Sequence, residues 1–231
     1  MIFALATMTK NQGSRLQEWV EYHSKLGFNK FIFYLDNCED NSYEVLSNIK
    51  NKDIIIHNTK DVDPLYDNPN WILRSHRMYD KCLRDFSNLD WIGFIEVDEF
   101  IFEKKISITK FLTDLKSDCL YINSWDMKGP FDESKPIIGQ SKLVWSDEQR
   151  YFSDYRYRGK SIIRPSKFFK CVDAHHFSYE NKVSEQFKKN RENLLQIFYG
   201  DEVTIDDNLF CIYHFRNHTP KEMNKYVNIN F

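Results

Sequence analysis

WIGFIEVDEF, residues 91–100, is an apolar run that ends in carboxylates at alternate positions before apolar residues resume. Side chains of a β-strand alternate between its two faces, so a strand through this stretch predicts Glu96 and Asp98 on the same side. Two carboxylates that converge at the end of a buried strand can bind a hard divalent cation, which can in turn neutralise a diphosphate. The alternative is a strand that leaves the core with solvated acids at its tip. The short spacing alone does not decide between the two.

The sequence before and after this stretch alternates between strand-like and helix-like segments. We predict strands at residues 2–8, 31–35, 53–57 and 91–97, and helices at 14–26, 42–49, 71–87 and 107–116. Gly27 is expected to end the first helix in a left-handed conformation. Strands and helices that alternate at this spacing predict an α/β fold, with a mainly parallel central sheet flanked by helices.

The second half of the chain is less regular. We predict strands at 119–123, 160–164 and 210–213, a loop-rich region up to about 158, a short element at 168–177, and helices at 184–198 and from about 219. No repeat or linker rich in Pro, Gly or Ser interrupts the 231 residues, so we expect one domain with two halves, 1–118 and 119–231.

Composition excludes several functional classes. A formal net charge of −2 argues against a protein built to bind nucleic acid. The five cysteines are scattered without a C-x-x-C pair, which argues against a zinc framework or a disulfide scaffold and favours free thiols in a reducing compartment. The apolar segment at residues 2–8 is too short for a signal peptide or a membrane span. We therefore expect a cytoplasmic protein, with peripheral contact at the inner membrane surface left open.

Motifs of other enzyme classes are missing from the sequence. G-x-x-x-x-G-K-[ST] and G-x-G-x-x-G do not occur, so no glycine-rich loop is available to bind phosphates. G-x-S-x-G is also missing, and no cysteine lies in a recognisable catalytic setting. These absences favour binding of a diphosphate through a metal ion.

Polar residues follow the predicted parallel strands at their carboxyl ends, where ligands bind in open α/β sheets. They are Asp36, Asn37, Glu96 and Asp98. A cation held by two carboxylates needs further oxygen or imidazole donors. The histidines of the second half that could supply one are His175, His176, His214 and His218. His176 and His214 lie at the ends of predicted elements, which makes them better candidates than His57 or His23. Glu99 is expected to form an ion pair inside the fold.

A basic segment with interleaved aromatic residues spans residues 150–170. It is compatible with single-stranded nucleic acid bound by stacking and phosphate contacts, with a pocket for a diphosphate or an acidic acceptor, or with a solvated surface. The solvated surface is the default for most of its side chains. We assign Lys160, which Gly159 places just before a predicted strand, to a phosphate.

Four stretches of the chain resemble GT-A glycosyltransferases of family 92 and related family-2-like enzymes. The first is Lys10–Gln12 with Leu16–His23, which resembles K-N-E…L-x-E-W-x-x-Y-H in the family, and the second is Leu26–Phe31 with Tyr34–Asn37, which resembles L-G-x-x-x-F…Y-x-x-N. The third is Trp91–Phe100, which resembles W-I-x-x-x-D-V-D-E-F. The fourth is Lys160–Pro165 with His176-Phe177 and Ile212–Phe215, which resembles K-S-I-x-x-P, a following H and a late H-Y. Together they cover nearly the whole chain. The resemblance implies a Rossmann-like GT-A fold, with a nucleotide-sugar-binding half (1–118) and an acceptor-side half (119–231).

The resemblance also implies a metal-dependent, inverting glycosyltransferase of the kind that serves polysaccharide biosynthesis. It would move a sugar from a UDP- or GDP-sugar to a glycan or a lipid-linked acceptor, with Mn²⁺ or Mg²⁺ as cofactor. The metal ligands that the resemblance implies are Asp98 and Glu96, and His176 and His214 remain the candidates for a further ligand. The implied contacts to the nucleotide sugar are Thr7, Lys10, Asn11, Asp36, Asn37, Glu96, Val97, Asp98 and Lys160. Inversion requires a carboxylate base, for which Asp126, Asp132 and Asp154 are candidates among which the sequence does not choose.

The chain departs from the family pattern at three places. Glu96 stands where the family has Asp and adds a methylene, so Asp98 is the primary ligand candidate. Gln12 replaces Glu, and His218-Thr219 replaces a late Lys-Ser. Two other functions use the same carboxylates: a nucleotidyltransferase on a related α/β scaffold, and an inactive nucleotide-sugar-binding module that lost activity through Glu96.

Overall fold

The structure, a computed structural model, describes residues 1–67, 70–127, 135–138, 159–167, 170–171, 177–178 and 209–215. Its helices are α1 (Gly13–Lys25), α2 (Ser42–Asn48), α3 (Thr59–Val62), α4 (Trp71–Asp85) and α5 (Ile108–Asp114). Its strands are β1 (Phe3–Thr9), β2 (Lys30–Leu35), β3 (Asp53–Asn58), β4 (Trp91–Phe94), β5 (Glu99–Glu103), β6 (Cys119–Met127), β7 (Gly159–Ile163), β8 (Lys170–Cys171), β9 (Phe177–Ser178) and β10 (Phe210–Phe215). The helices predicted at 184–198 and from about 219 lie outside these residues.

One eight-stranded sheet connects the two halves of the described chain, in the order β3-β2-β1-β4-β7-β6-β10-β5. Strands β3, β2, β1 and β4 are parallel neighbours, as in a Rossmann-like sheet. Beyond them β7 is antiparallel to β4 and β6, and β5 is antiparallel to β10. The predicted α/β fold class is confirmed. The prediction of a single domain stays a prediction, and the continuous sheet is compatible with it.

Strand β1 lies at the centre of the parallel part and is buried along its whole length. Its side chains alternate between two apolar clusters: Leu5 packs in a cluster with Trp19 of α1, and Ala6 in a second cluster with Met78 of α4. A strand covered by helices on both faces requires a nearly continuous apolar sequence, which Phe3–Thr9 provides. The carboxyl end of β1 therefore emerges between α1 and α4.

Gly27 ends α1 as predicted. Its φ of +96° lies in the left-handed region, and its N–H donates to the Ser24 carbonyl at 3.1 Å. A Cβ at this position would lie 2.8 Å from Thr109 Oγ1. Glycine is therefore required here both for the conformation and for the close approach of α5.

Among the residues that the structure describes, no helix combines the length and apolar character needed to cross a bilayer.

Candidate metal centre and nucleotide cleft

Residues 95–97 do not continue β4, although we predict a strand over 91–97 from the sequence. The strand ends at Phe94, and the Glu99 N–H closes a turn by donating to the Glu96 carbonyl at 2.9 Å. The Glu96 N–H donates in turn to the Glu99 carboxylate at 2.9 Å. Because these backbone groups bond within the turn, they are not available to a strand ladder. Strand alternation is thus the wrong reason for the placement of Glu96 and Asp98, although both side chains reach the same cleft.

The cleft has a volume of about 630 Å³ and lies at the carboxyl ends of β1 and β4. It is lined by Met8, Thr9, Lys10, Gln12, Trp71, Ile72, Ser75, His76, Tyr79, Glu96, Val97 and Asp98. Four of these residues, Lys10, Glu96, Val97 and Asp98, are ones that we predict to contact a nucleotide sugar. Its position agrees with the rule that open α/β sheets bind ligands beyond the carboxyl ends of their strands.

Three side chains from two distant segments come together at the cleft. One donor atom each from Glu96, Asp98 and His214 lies within 4.8 Å of the other two. His214, on β10, places its Nε2 3.4 Å from Asp98 Oδ2. Ligand atoms on opposite sides of a small divalent cation are about 4 to 5 Å apart, so these three groups could close on an ion with small side-chain shifts. Two carboxylates and an imidazole suit Mn²⁺ or a similar cation.

The carboxylates around His214 change its protonation. Burial alone would lower the pKa of His214, but the hydrogen bond to Asp98 and the negative charges of Glu99, Asp98 and Glu96 raise it to about 9. The imidazole is therefore cationic at neutral pH in the protein without a metal. A metal ion bound through this nitrogen would displace that proton.

Glu99 and Lys160 form a buried ion pair next to this group, as we predict for Glu99. Lys160 Nζ lies 3.3 Å from Glu99 Oε2 and 3.0 Å from Glu96 Oε1. Burial would lower the pKa of Lys160, but the two carboxylates outweigh it and raise the pKa; burial raises that of Glu99. We assign Lys160 to a phosphate from the sequence, whereas the structure buries its ammonium between two acids, with 2% of the side chain exposed.

Helix α1 forms hydrogen bonds to the backbone of the turn at residues 96–99 and of the residues that follow it. The Trp19 Nε1–H donates to the carbonyls of both Glu96 and Glu99, at 3.0 Å each. The Tyr22 hydroxyl donates to the Ile101 carbonyl at 2.7 Å. The Ile101 N–H donates to His23 Nε2 at 3.3 Å, so the His23 proton is on Nδ1, which donates to the Trp19 carbonyl at 2.9 Å. Residues 96–101 are thus attached to one turn of α1.

The neutral state of His23 predicts a loss of stability in acid. Burial lowers its pKa to about 3, although the bond to the Trp19 carbonyl acts in the opposite direction. Because unfolded histidine has a pKa near 6.5, the unfolded chain takes up a proton between about pH 6.5 and 3 that the folded chain does not. The free energy of unfolding should therefore fall with decreasing pH across this window, by up to about 1.4 kcal/mol per unit from His23 alone.

Urea unfolding of wild type and His23→Gln between pH 7 and 4 measures this contribution. Glutamine offers both a donor and an acceptor but does not titrate, so the variant should lose less stability than wild type as the pH falls. Parallel pH profiles for the two proteins would refute the assignment.

Other residues predicted to contact the nucleotide sugar have structural partners. Both oxygens of Asp36 bond Arg74, with Arg74 Nη2 at 2.6 Å from Oδ2, and Oδ1 also accepts the Thr59 hydroxyl at 2.9 Å. Asp36 is 1% exposed. We expect from the sequence an open carboxylate here, whereas this one is buried and joins the end of β2 to α4.

Three further predicted residues lie near the ends of β1 and β2. Thr7 is fully buried, and among the described residues its hydroxyl has no hydrogen-bond partner. The Asn11 Oδ1 accepts a hydrogen bond from the Glu39 N–H at 2.8 Å, and the Asn11 backbone has a left-handed φ of 51°. Asn37 is exposed, with a φ of 50°. These three side chains are not among those that line the cleft.

Several predicted residues are not placed by the structure. Asp132, Asp154 and His176 lie outside the described residues. Asp126 lies on β6, whose backbone pairs Asp126 with His214. In the basic segment, residues 150–158 also lie outside the described residues. Arg164, from the same segment, packs over Trp91 at 4.2 Å from the ring centre and pairs with Asp118.

Helix α4 forms a wall of the cleft that the sequence does not reveal. Trp71, Ile72, Ser75, His76 and Tyr79 recur at helical spacing and line the cleft, with Trp71 and Ile72 exposed. Helical periodicity predicts that these residues share a face, but an amphipathic face looks the same whether it covers a core or a ligand. The available sequence signal is a pair of large apolar residues, Trp71 and Ile72, at the first two positions of the predicted helix, where the structure leaves both side chains exposed.

Comparison with known proteins identifies the family. The model of glycosyltransferase family 92 matches residues 1–228. A family 92 protein of Arabidopsis thaliana is 27% identical over 190 residues, which cover 78% of this chain and 32% of the relative. One of Ricinus communis is 33% identical over 171 residues, covering 69% and 28%. The chain thus spans about a third of the length of these curated relatives.

Among solved structures, TarS of S. aureus gives a TM-score of 0.42 at 16% identity over 57% of this chain and 23% of that chain, a similarity too low to bear on function. The assignment to a family depends instead on the family model, whose match over residues 1–228 includes Glu96, Asp98 and His214 of the candidate metal centre. The chain belongs to glycosyltransferase family 92.

Proposed function

We propose that the chain transfers a sugar from a nucleoside-diphosphate donor, UDP- or GDP-linked, to a hydroxyl of a glycan or a lipid-linked acceptor. One observation carries this proposal beyond family membership: donor atoms of Glu96, Asp98 and His214 lie within 4.8 Å of one another at the cleft. Such a donor set suits a divalent cation, and diphosphate leaving groups need positive charge beside them.

The residues of the cleft would divide the work as follows. Glu96, Asp98 and His214 would hold Mn²⁺ or Mg²⁺, which when bound supplies positive charge next to the diphosphate. Lys10, which is exposed directly after β1 and lines the cleft, would add a second positive charge beside the diphosphate. The α4 wall, with Trp71 and Ile72, offers apolar surface to the base or the sugar. Val97, which lies between the two acids in the sequence, is buried and contributes apolar surface to the cleft.

Inversion of the anomeric centre is part of the proposal. It requires a carboxylate that accepts the acceptor hydroxyl's proton as the hydroxyl attacks. The candidates remain Asp126, Asp132 and Asp154. Tyr79 is unsuited to this role because burial raises the pKa of its phenol well above the ordinary value.

A donor screen tests the function. We expect release of UDP or GDP from one class of nucleotide sugar in the presence of Mn²⁺, and loss of that release with excess chelator. UDP-, GDP- and CMP-sugars should be compared with and without acceptor mixtures, with nucleotide release as the readout. Undiminished release in chelator would reject metal dependence, and no release with any donor or acceptor would argue against the transferase.

Two other functions of the same carboxylates would give different results. A nucleotidyltransferase would release pyrophosphate from a nucleoside triphosphate. An inactive binding module would bind UDP weakly by calorimetry, with the same affinity with and without Mn²⁺.

A cytoplasmic location is also proposed; it rests on the five free cysteines. Contact with a membrane surface stays a prediction.

A further inference from the structure

The W-x-x-Y-H stretch of α1 lies outside the cleft, yet all three of its named side chains bond to the segment that carries the acids. Trp19 and His23 are fully buried, and neither lines the cleft. Their partners are backbone groups of Glu96, Glu99 and Ile101. A helix that only covered a sheet would need apolar side chains here, and three polar aromatics would add the cost of burying their polar atoms.

The bonds form a continuous chain. The Trp19 indole N–H bridges the two carbonyls that flank the turn, Glu96 and Glu99, at 3.0 Å each. His23 accepts from the Ile101 N–H and donates to the Trp19 carbonyl. The His23 ring also stacks on Phe100, with ring centres 5.7 Å apart and planes 15° apart. The backbone from 96 to 101 is therefore held by directional contacts to a single turn of α1.

The opposite side of the turn is held by β10. The Phe215 N–H donates to the Asp98 carbonyl at 2.8 Å, and His214 contacts the Asp98 carboxylate. Asp98 thus lies in a short turn fixed from α1 on one side and from β10 on the other. The partners that hold metal-binding side chains in place strongly affect metal affinity.

We propose that Trp19, Tyr22 and His23 are positioning residues that hold the turn 96–99 in the shape that lets Glu96 and Asp98 act together with His214 on a divalent cation. The metal part of this inference rests on the proposed function. Trp19 contributes most, because its single N–H contacts both ends of the turn. None of the three needs to touch the substrate.

Trp19→Phe tests the role of this N–H, because phenylalanine keeps an aromatic ring and lacks the donor. Substitution of Trp19 by its benzothiophene isostere, which has the shape of tryptophan and no N–H, separates the hydrogen bond from packing. Val20→Ala is the matched control: Val20 is equally buried on α1, and its side chain cannot hydrogen-bond to the turn.

Two measurements on the full chain are needed. Amide hydrogen exchange, without metal, should become faster at residues 96–101 in both Trp19 variants and stay unchanged at 91–94, whereas Val20→Ala should leave 96–101 protected. Mn²⁺ titration followed by electron paramagnetic resonance should show an affinity about 10- to 100-fold weaker in the Trp19 variants than in the control.

Unchanged exchange at 96–101 in both Trp19 variants would overturn the proposal, whether or not the protein binds metal. Faster exchange with unaltered Mn²⁺ affinity would also overturn it, since the turn would then move without consequence for the site. If wild type binds no Mn²⁺, the metal site of the proposed function is rejected. The exchange data then still decide whether α1 positions the turn.

Discussion

Asp98→Asn is expected to reduce metal-dependent nucleotide release by roughly a hundredfold or more, because a bound divalent cation contributes several kcal/mol of charge stabilisation to the departing diphosphate. Asparagine keeps the size of the side chain and removes the charge that a hard cation requires. The Asp98 carbonyl, which accepts the Phe215 N–H, is untouched by the substitution, so the fold should be retained. Initial rates with the donor found in the screen, measured across a range of Mn²⁺ concentrations, provide the test.

Asp114→Asn is the matched control for this change. Asp114 is an exposed acid at the end of α5 and does not line the cleft, so its loss should leave the rate unaltered. Near-normal turnover by Asp98→Asn at low Mn²⁺ concentration would show that Asp98 is not a metal ligand. An equal loss in both variants would point to a general effect of charge.

Lys160→Met should destabilise the fold by about 3 kcal/mol, because the buried Glu99 carboxylate loses its nearest cation and keeps only the His214 imidazole, whose Nδ1 lies 3.6 Å from Oε1. Glu99 is 1% exposed, so water cannot replace the ammonium. In the double variant Lys160→Met/Glu99→Gln, the glutamine oxygen can still accept the Glu96 N–H, and most of the lost stability should return. The free energy of unfolding in urea, measured for wild type, both single variants and the double variant, gives the coupling energy of the pair.

Lys30→Met offers a surface comparison. Lys30 pairs with Asp53, whose side chain is 55% exposed, and such pairs contribute at most about 1 kcal/mol. Equal losses for Lys30→Met and Lys160→Met, or no recovery in the double variant, would mean that burial of the Lys160–Glu99 pair does not account for the lost stability.

The parallel half of the fold could be predicted from the sequence because its signals are local. The apolar runs of β1, β2 and β3, the face of α1 and the glycine at position 27 each lie within one element. The rule that ligands bind at the carboxyl ends of such strands then led to Asp36, Asn37, Glu96 and Asp98. The cleft in the structure is lined by Glu96 and Asp98 and not by the other two.

The interior of the site could not be predicted in the same way. Alternation along 91–100 suggests a strand, whereas in the structure the chain turns, and one of the contacts that hold the turn is made by the Glu96 carbonyl with Trp19, 77 residues earlier in the sequence. Lys160 looks like a phosphate ligand in a basic segment, until the sheet brings it beside Glu96, 64 residues away in sequence. Asp36 likewise resembles an open strand-end acid, and its partner Arg74 is 38 residues distant. These pairings depend on the order of the strands, which no local pattern encodes.

Crystals soaked with Mn²⁺ and UDP, with data collected at the manganese absorption edge, would locate the ion. We predict one anomalous peak at the cleft, about 2 to 2.5 Å from an oxygen of Asp98 and from Glu96 or His214. A peak elsewhere, or none at all while Glu96 remains bonded to Lys160 and Asp98 to His214, would contradict a metal-assisted transferase at this site.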